Sequence, residues 1–364
     1  AGGGGGGGQG GSSGTGGYGG GSSFAVYKDG EPIIDLWGGY IDANQSKPWV
    51  KNTLATVWST TKGVAALTCA LAVERGLLNY DEKVSYYWPE FSCNGKENIT
   101  VGMLLSHQAG ICGTETTNID DYYNQELMAS KLASMTPAWK PGTNSGYHSM
   151  TYGWLVSELI FRVTDRKLGT YYREEIANLA DIDFYIGLPQ EEDYRAAEMI
   201  PMERDSQKKP ERTEIQKASD LGPNILKAQN TRAWRAAEIA SANGQGNASS
   251  LAKLYSLVVT NNSSLKILKN ETINKMTQRQ NEGKDLVLNV VTRWSAGFVM
   301  NMHKIIYGPE ESTFGHSGYG GSCAFGDPIN RLGISYVMNK MAGNLAGDSR
   351  SIALINETYN CLNE

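Results

Sequence analysis

The sequence predicts an α+β fold: an antiparallel sheet flanked by helices, a mostly helical lobe beside it, and an active site in the cleft between. Three observations carry this. After a Gly/Ser tract the chain opens on a strand pattern, "SFAVYKDGEPIIDLWGGYID" (23–42). It closes on further strands from Trp294 and a terminal helix, while the residues between read as helix almost throughout. Pairing the first strands with the last gives one sheet, leaves the helical middle as a second lobe, and puts the chemistry where they meet.

Residues 1–22 are nearly all Gly and Ser, a composition that buries no core, and are expected as a disordered tail. Residues 23–364 form the expected domain, with a sheet lobe of 23–60 and 290–364 and a helical lobe of 61–289. Asp-Gly inside "KDGE" (28–31) marks a hairpin turn. A helix starts near Ser59, carries no charge from Gly63 to Val73, and stops at Gly76, a plausible residue to end it. "NITVGMLLSHQAG" (98–110) is a short helix capped near Thr100, and 120–137 reads as one Asp-capped amphipathic helix. Beyond "KPGTNSGYHS", Tyr152, Leu155, Val156, Leu159, Ile160 and Val163 share a helix face. The charged stretch Pro189–Pro223 is expected as a surface insertion or lid. Residues 248–259 are helical again. "WSAGFVMNM" and "SCAFGDPINRLGISYVMNKM" supply three strands, and Ser349–Leu362 is the closing helix.

Charged residues make up 20% of the chain and the net charge is −5, which offers neither nucleic acid nor an anionic membrane a basic face. No apolar run approaches the ~18 residues of a membrane span. The five cysteines (69, 93, 112, 323, 361) are widely spaced without a C-x-x-C pair, so a zinc site is not expected, and free thiols are. Seven N-x-S/T sequons suit a secreted chain, yet sequons are common and no signal peptide is visible; the compartment stays open.

The chemistry gathers at "STTKG" (59–63). Ser59 and Lys62, three apart, share a helix face, and Ser59 lies among the unpaired N–H groups of a helix start. The uncharged helix behind Lys62 implies burial, which lowers a lysine's pKa and frees the amine to take the serine proton. S-x-x-K also occurs at Ser206, Ser250 and Ser263. Those three sit in a charged stretch, an amphipathic helix and an Asn/Ser-rich loop, so only Ser59 opens a buried helix.

With two further segments the sequence resembles the serine β-lactamases, penicillin-binding proteins and related esterases. "GYHSMTYGWL" (146–155) is similar to that family's Tyr-x-Asn element, with Tyr147 at the tyrosine position. "GHSGYGGS" (315–322) is similar to its Lys-Thr-Gly element in His-x-Gly form. The flanks "NITVGMLLSHQAGI", "KPGT" and "FGDPINRLGISYVMNKM" resemble the class C β-lactamase and esterase branch, and most of all LACTB-like β-lactamase-domain proteins of animals and fungi. The resemblance implies a β-lactamase/transpeptidase-like fold and a serine hydrolase working through an acyl-enzyme, without cofactor or metal. Ser59, Lys62 and Tyr147 would be catalytic. His316, Ser317, Gly318 and Tyr319 would bind substrate, with the Ser59 and Tyr319 N–H groups as oxyanion donors. Ser149 replaces the family's Asn and His316 its Lys, both of which favour small esters or peptides over β-lactams. The family's first strand normally follows a helix that packs on the sheet; here the Gly/Ser tract precedes it, so one sheet face is expected to be under-covered.

Two other classes compete. A non-catalytic scaffold that self-assembles, as LACTB-like proteins do in filaments, leaves a homo-oligomer open but needs none of Ser59, Lys62 and Tyr147. A Ser-His-Asp hydrolase needs a nucleophile elbow, and the only G-x-S-x-G is Gly10–Gly14 inside the tail. Four histidines (107, 148, 303, 316) form no metal-binding spacing. The expected partner is a small molecule or short peptide.

Overall fold

The computed structural model describes residues 19–203 and 210–364. The G-x-S-x-G at Gly10–Gly14, most of the Gly/Ser tail and the S-x-x-K at Ser206 lie outside the described residues. The tract's last residues are structured: β1 (Gly21–Lys28) begins inside it and pairs with β2 (Glu31–Gly39). Asp29 and Gly30 both take positive φ, the geometry that a tight two-residue hairpin needs and that Asp-Gly supplies.

The first and last strands close the sheet as expected. β3 (Asn281–Lys284), β4 (Val291–Trp294), β5 (Val299–Met300), β6 (Phe314–Ser317), β7 (Cys323–Asp327) and β8 (Leu332–Met338) complete one eight-stranded antiparallel sheet, ordered β2-β1-β8-β7-β6-β5-β4-β3. Three more strands are present at this end than the hydrophobic pattern predicts. β3, "NEGK", is too polar to read as a strand and exists because the edge strand beside it offers backbone partners.

The buried helix α1 (Thr61–Glu74) starts two residues after Ser59, which itself lies on a 3-10 turn, Trp58–Thr60. Every residue of α1 from Thr61 to Ala72 is buried, consistent with its lack of a polar face. α2 (Val101–Leu105) is capped by Thr100, whose hydroxyl accepts from the Met103 N–H. The single helix expected over 120–137 is two, α3 (Ile119–Tyr122) and α4 (Gln125–Ser134). Asn118 and Asn124 cap them, because each Asn side chain satisfies N–H groups that a continuous helix would not leave free. α5 (Thr151–Thr164) buries the face its periodicity marks.

α6 (Ala248–Val259) lies on the sheet, with Ser23 Oγ accepting from Ala248 N and Tyr27 OH 2.6 Å from Ser249 Oγ. With β3 starting at Asn281, the lobe boundary expected at 290 therefore moves: residues 248–259 and 281–284 pack with the sheet. α7 (Ser349–Leu362) is capped by Asp348 and anchored where Tyr359 OH donates to Asp327 Oδ2 at 2.6 Å. Leu36, opposite Phe24 on the face away from α6, is 52% exposed, so that corner of the sheet is under-covered. The described part of Pro189–Pro223 is held to the body: Asp193 pairs with Arg232 and Arg235, and Gln216 Nε2 donates to Val287 O. Among the described residues, no helix is long and apolar enough to cross a membrane.

Candidate active site

The turn carrying Ser59 is held from both sides. Trp58 sits at φ +48°, a costly conformation for a bulky residue, and its ring is fixed by Trp234 (centroids 5.1 Å apart) and by Nε1 donating to Gln229 Oε1. On the sheet side Ser322 Oγ donates to Val57 O and lies 2.8 Å from Thr60 Oγ1. Gly318 is needed for this approach, since a Cβ there would lie 2.1 Å from Val57 O. The loop after β6 thus lies against the nucleophile turn, with the Tyr319 ring edge-on to Trp58 at 6.0 Å.

Ser59 is half-buried and stands between two groups. Lys62 Nζ is 2.8 Å from its Oγ, and Tyr147 OH donates to the same oxygen at 2.6 Å. Lys62 is fully buried, and Nζ donates to the carbonyls of Ser149 (2.7 Å) and Ser241 (3.0 Å). Desolvation holds its pKa well below the ordinary lysine value. A neutral amine has two N–H donors and one lone pair. With both donors taken by carbonyls, the lone pair is left for the Ser59 hydroxyl proton. Burial pushes the Tyr147 phenol above its ordinary range, so Tyr147 stays protonated and donates. The three residues singled out in the sequence are therefore in mutual contact, in protonation states suited to moving the serine proton. Ser149, at the family's Asn position, meets Lys62 through its carbonyl.

Tyr147→Phe removes the donor to Ser59 Oγ and keeps the ring stack. The expected result is a fall of about 10²-fold in kcat with an unchanged unfolding midpoint, measured by steady-state kinetics and urea titration.

Sequence reasoning missed the groups that orient this trio. Asp285 is fully buried and accepts from Ser145 Oγ, Tyr147 N, Val287 N and Leu288 N, tying the Tyr147 segment to the cleft wall. Its signal was a single carboxylate amid the apolar "LVLNVV" that follows it. Trp294 stacks on Tyr147 with centroids 5.8 Å apart and planes 6° off parallel. Two histidines read only as non-ligands are structural: His107 Nδ1 accepts from His148 N, and His148 Nε2 accepts from Ile111 N.

His316 lies on β6, almost fully buried, with Nδ1 2.7 Å from Ser317 O. A carbonyl only accepts, so Nδ1 carries the proton. Desolvation first, and then the nearby Lys62, pull its pKa down to about 3, so the ring contributes no positive charge. Ser317 Oγ is 2.8 Å from Tyr307 OH. Ser59, Tyr147, His316, Ser317 and Tyr319 line a cleft whose other walls are Leu288, Trp294, Val299, Tyr307, Leu345 and Ala346. Gly318 shapes the loop and is not among the lining residues. Among the described residues, no lysine or arginine lines the cleft.

Burial also lowers the pKa of His107, well below its ordinary value, and of His148, to about 4. With folded values below the unfolded 6.5, the unfolded chain binds more protons at acid pH. The histidines' contribution to stability is then full above pH 6.5 and is lost as pH falls toward 4 and 3. Each histidine adds a slope of about 1.4 kcal/mol per pH unit in its window. Urea midpoints measured between neutral and acid pH should show it, and a flat profile would contradict the burial.

Comparison with known proteins agrees with this geometry. The Beta-lactamase family model matches residues 15–357. The esterase/beta-lactamase LipL of Mycobacterium tuberculosis is 31% identical over 337 residues, covering 88% of this chain and 77% of that protein. A solved family VIII carboxylesterase is 40% identical with a TM-score of 0.87, covering 94% of this chain and 92% of its own. EstA from Arthrobacter nitroguajacolicus Rue61a is 32% identical with a TM-score of 0.84, covering 92% and 90%. A Ser-Lys-Tyr trio in a sheet–helix cleft, on a chain this similar throughout to esterases, places the protein in the beta-lactamase family as a serine hydrolase of esterase type.

Proposed function

We propose that the chain hydrolyses small uncharged carboxylic esters through an acyl-enzyme on Ser59. Lys62 takes the serine proton during attack. Tyr147 supplies a proton to the leaving alcohol and then orients the deacylating water. The Ser59 and Tyr319 N–H groups hold the oxyanion, a role supported by the close approach of the Gly318 loop to the nucleophile turn. His316, Ser317 and Gly318 shape the substrate side of the cleft.

The observation that carries the substrate class is an aromatic and aliphatic cleft lined, among the described residues, by no fixed positive charge. A carboxylate-bearing β-lactam would lose its hydration there without gaining an ion pair, whereas an ester loses little. The expected result is a kcat/KM for a short-chain p-nitrophenyl ester about 10²–10³-fold above that for a chromogenic cephalosporin. Equal or reversed values would refute the reading.

The narrower likeness to LACTB-like proteins carries a second proposal, self-assembly, and one observation favours it alongside catalysis. β2 is an edge strand with Ile33 and Leu36 each 52% exposed, the kind of edge that pairs with another copy. Light scattering of the active protein decides it: a monomer that turns over ester excludes the assembly.

A further inference from the structure

Away from the Ser59 cleft, the turn before α2 brings a thiol against a buried amine. Lys96 is fully buried. Its Nζ donates to Cys93 O at 3.0 Å and to Met135 O, lies 3.6 Å from Cys93 Sγ, and sits 5.4 Å from the centre of the Phe91 ring. Among the described residues no carboxylate pairs with it. Desolvation lowers its pKa, which raises the share of neutral, nucleophilic amine. Cys93 is partly exposed, so a small oxidant reaches its sulfur. Its other polar neighbours are the carbonyls of Ala133 and Glu90, which cannot attack an oxidised sulfur. The Lys96 amine can.

We propose that Cys93 and Lys96 are a redox modification site, in which a peroxide converts the thiol to a sulfenic acid and Lys96 Nζ captures it as an S–N bond. In the first step the sulfur attacks one peroxide oxygen and the O–O bond breaks. Sulfur gives up two electrons, and the other oxygen leaves as water. In the second step the Nζ lone pair forms the S–N bond as the S–OH bond breaks, and the departing hydroxide takes one Nζ proton as water. Two added thiols reverse it: one displaces the amine from sulfur, and the second releases the resulting mixed disulfide. The site protects Cys93, because a captured sulfenic acid does not advance to the irreversible sulfinic acid. It also loosens the neighbourhood. The bridged nitrogen keeps one N–H, so it can serve only one of Cys93 O and Met135 O.

The other cysteines are built-in controls. Cys69, Cys112 and Cys323 are buried, and exposed Cys361 faces the Glu357 carboxylate at 3.7 Å rather than an amine.

The test treats the full chain with a small excess of hydrogen peroxide and reads intact mass and unreduced tryptic peptides. The expected product is lighter by about 2 Da, is not cut by trypsin at Lys96, returns to the starting mass with dithiothreitol, and has a Cys93 that a dimedone probe does not label. In Lys96→Arg the guanidinium does not capture the sulfenic acid, so dimedone labels Cys93. Should that variant fail to fold, Cys93→Ser removes both the mass loss and the missed cleavage. A sulfenic or sulfinic acid left standing on Cys93 in the unaltered chain overturns the proposal. So does a Cys93 thiol that survives while Cys361 oxidises.

Discussion

Ser59→Ala is expected to abolish acylation and to lower ester turnover by about 10⁴–10⁶-fold. Neither of the groups hydrogen-bonded to it can replace it. Tyr147 OH is a phenol kept protonated by burial, and Lys62 has both N–H groups committed to the Ser149 and Ser241 carbonyls. The measurement is intact mass after a fluorophosphonate: one adduct per chain in the unaltered protein and none in Ser59→Ala, with steady-state ester hydrolysis in parallel. An adduct that persists in the variant would move the nucleophile elsewhere. Adding Lys62→Met to Ser59→Ala should cost almost nothing more, because the two act as one unit.

Lys62→Met alone is expected to lower kcat by about 10³–10⁴-fold, the upper range for losing a positioned base. The pH dependence carries a second signature. Lys62 acts only when neutral, so activity rises with pH through its lowered pKa and then levels. Because its folded pKa lies below the unfolded 10.5, the unfolded chain binds the extra proton between those values, and stability rises with pH there. The buried lysine is therefore a net cost to folding near neutral pH. Lys62→Met should lack the rise in urea midpoint that the unaltered protein shows as pH climbs from the lowered folded pKa toward the unfolded value of 10.5. A variant with an undiminished slope would place the titration on another group.

Much of this is legible in the sequence. The strand hairpin could be read because Asp-Gly fits a turn with two positive φ angles, and the terminal helix because its apolar stripe is regular. Ser59 and Lys62 stood out because chemistry restricts them to few residue types, Tyr147 only through the family resemblance, and the three are in contact. The failures have physical causes. One helix over 120–137 became two because Asn124 competes locally for N–H groups. β3 escaped notice because its pairing comes from a neighbouring strand rather than from its own side chains. His316 stands at the position of the family's lysine, and what no motif shows is that burial leaves its ring uncharged.

The sequence by itself singled out the candidate nucleophile, its candidate base and the sheet that closes between the two ends of the chain, since each rests on local residue chemistry or on hydrophobic period. Only the tertiary structure decided the protonation states. Lys62 is poised as the proposed base because carbonyls 87 and 179 residues away take its two N–H groups in a buried site. Tyr147 is aimed at Ser59 because Asp285, 138 residues on, holds its backbone. Desolvation and long-range hydrogen bonds exist only once distant segments meet, and no spacing within a motif encodes them.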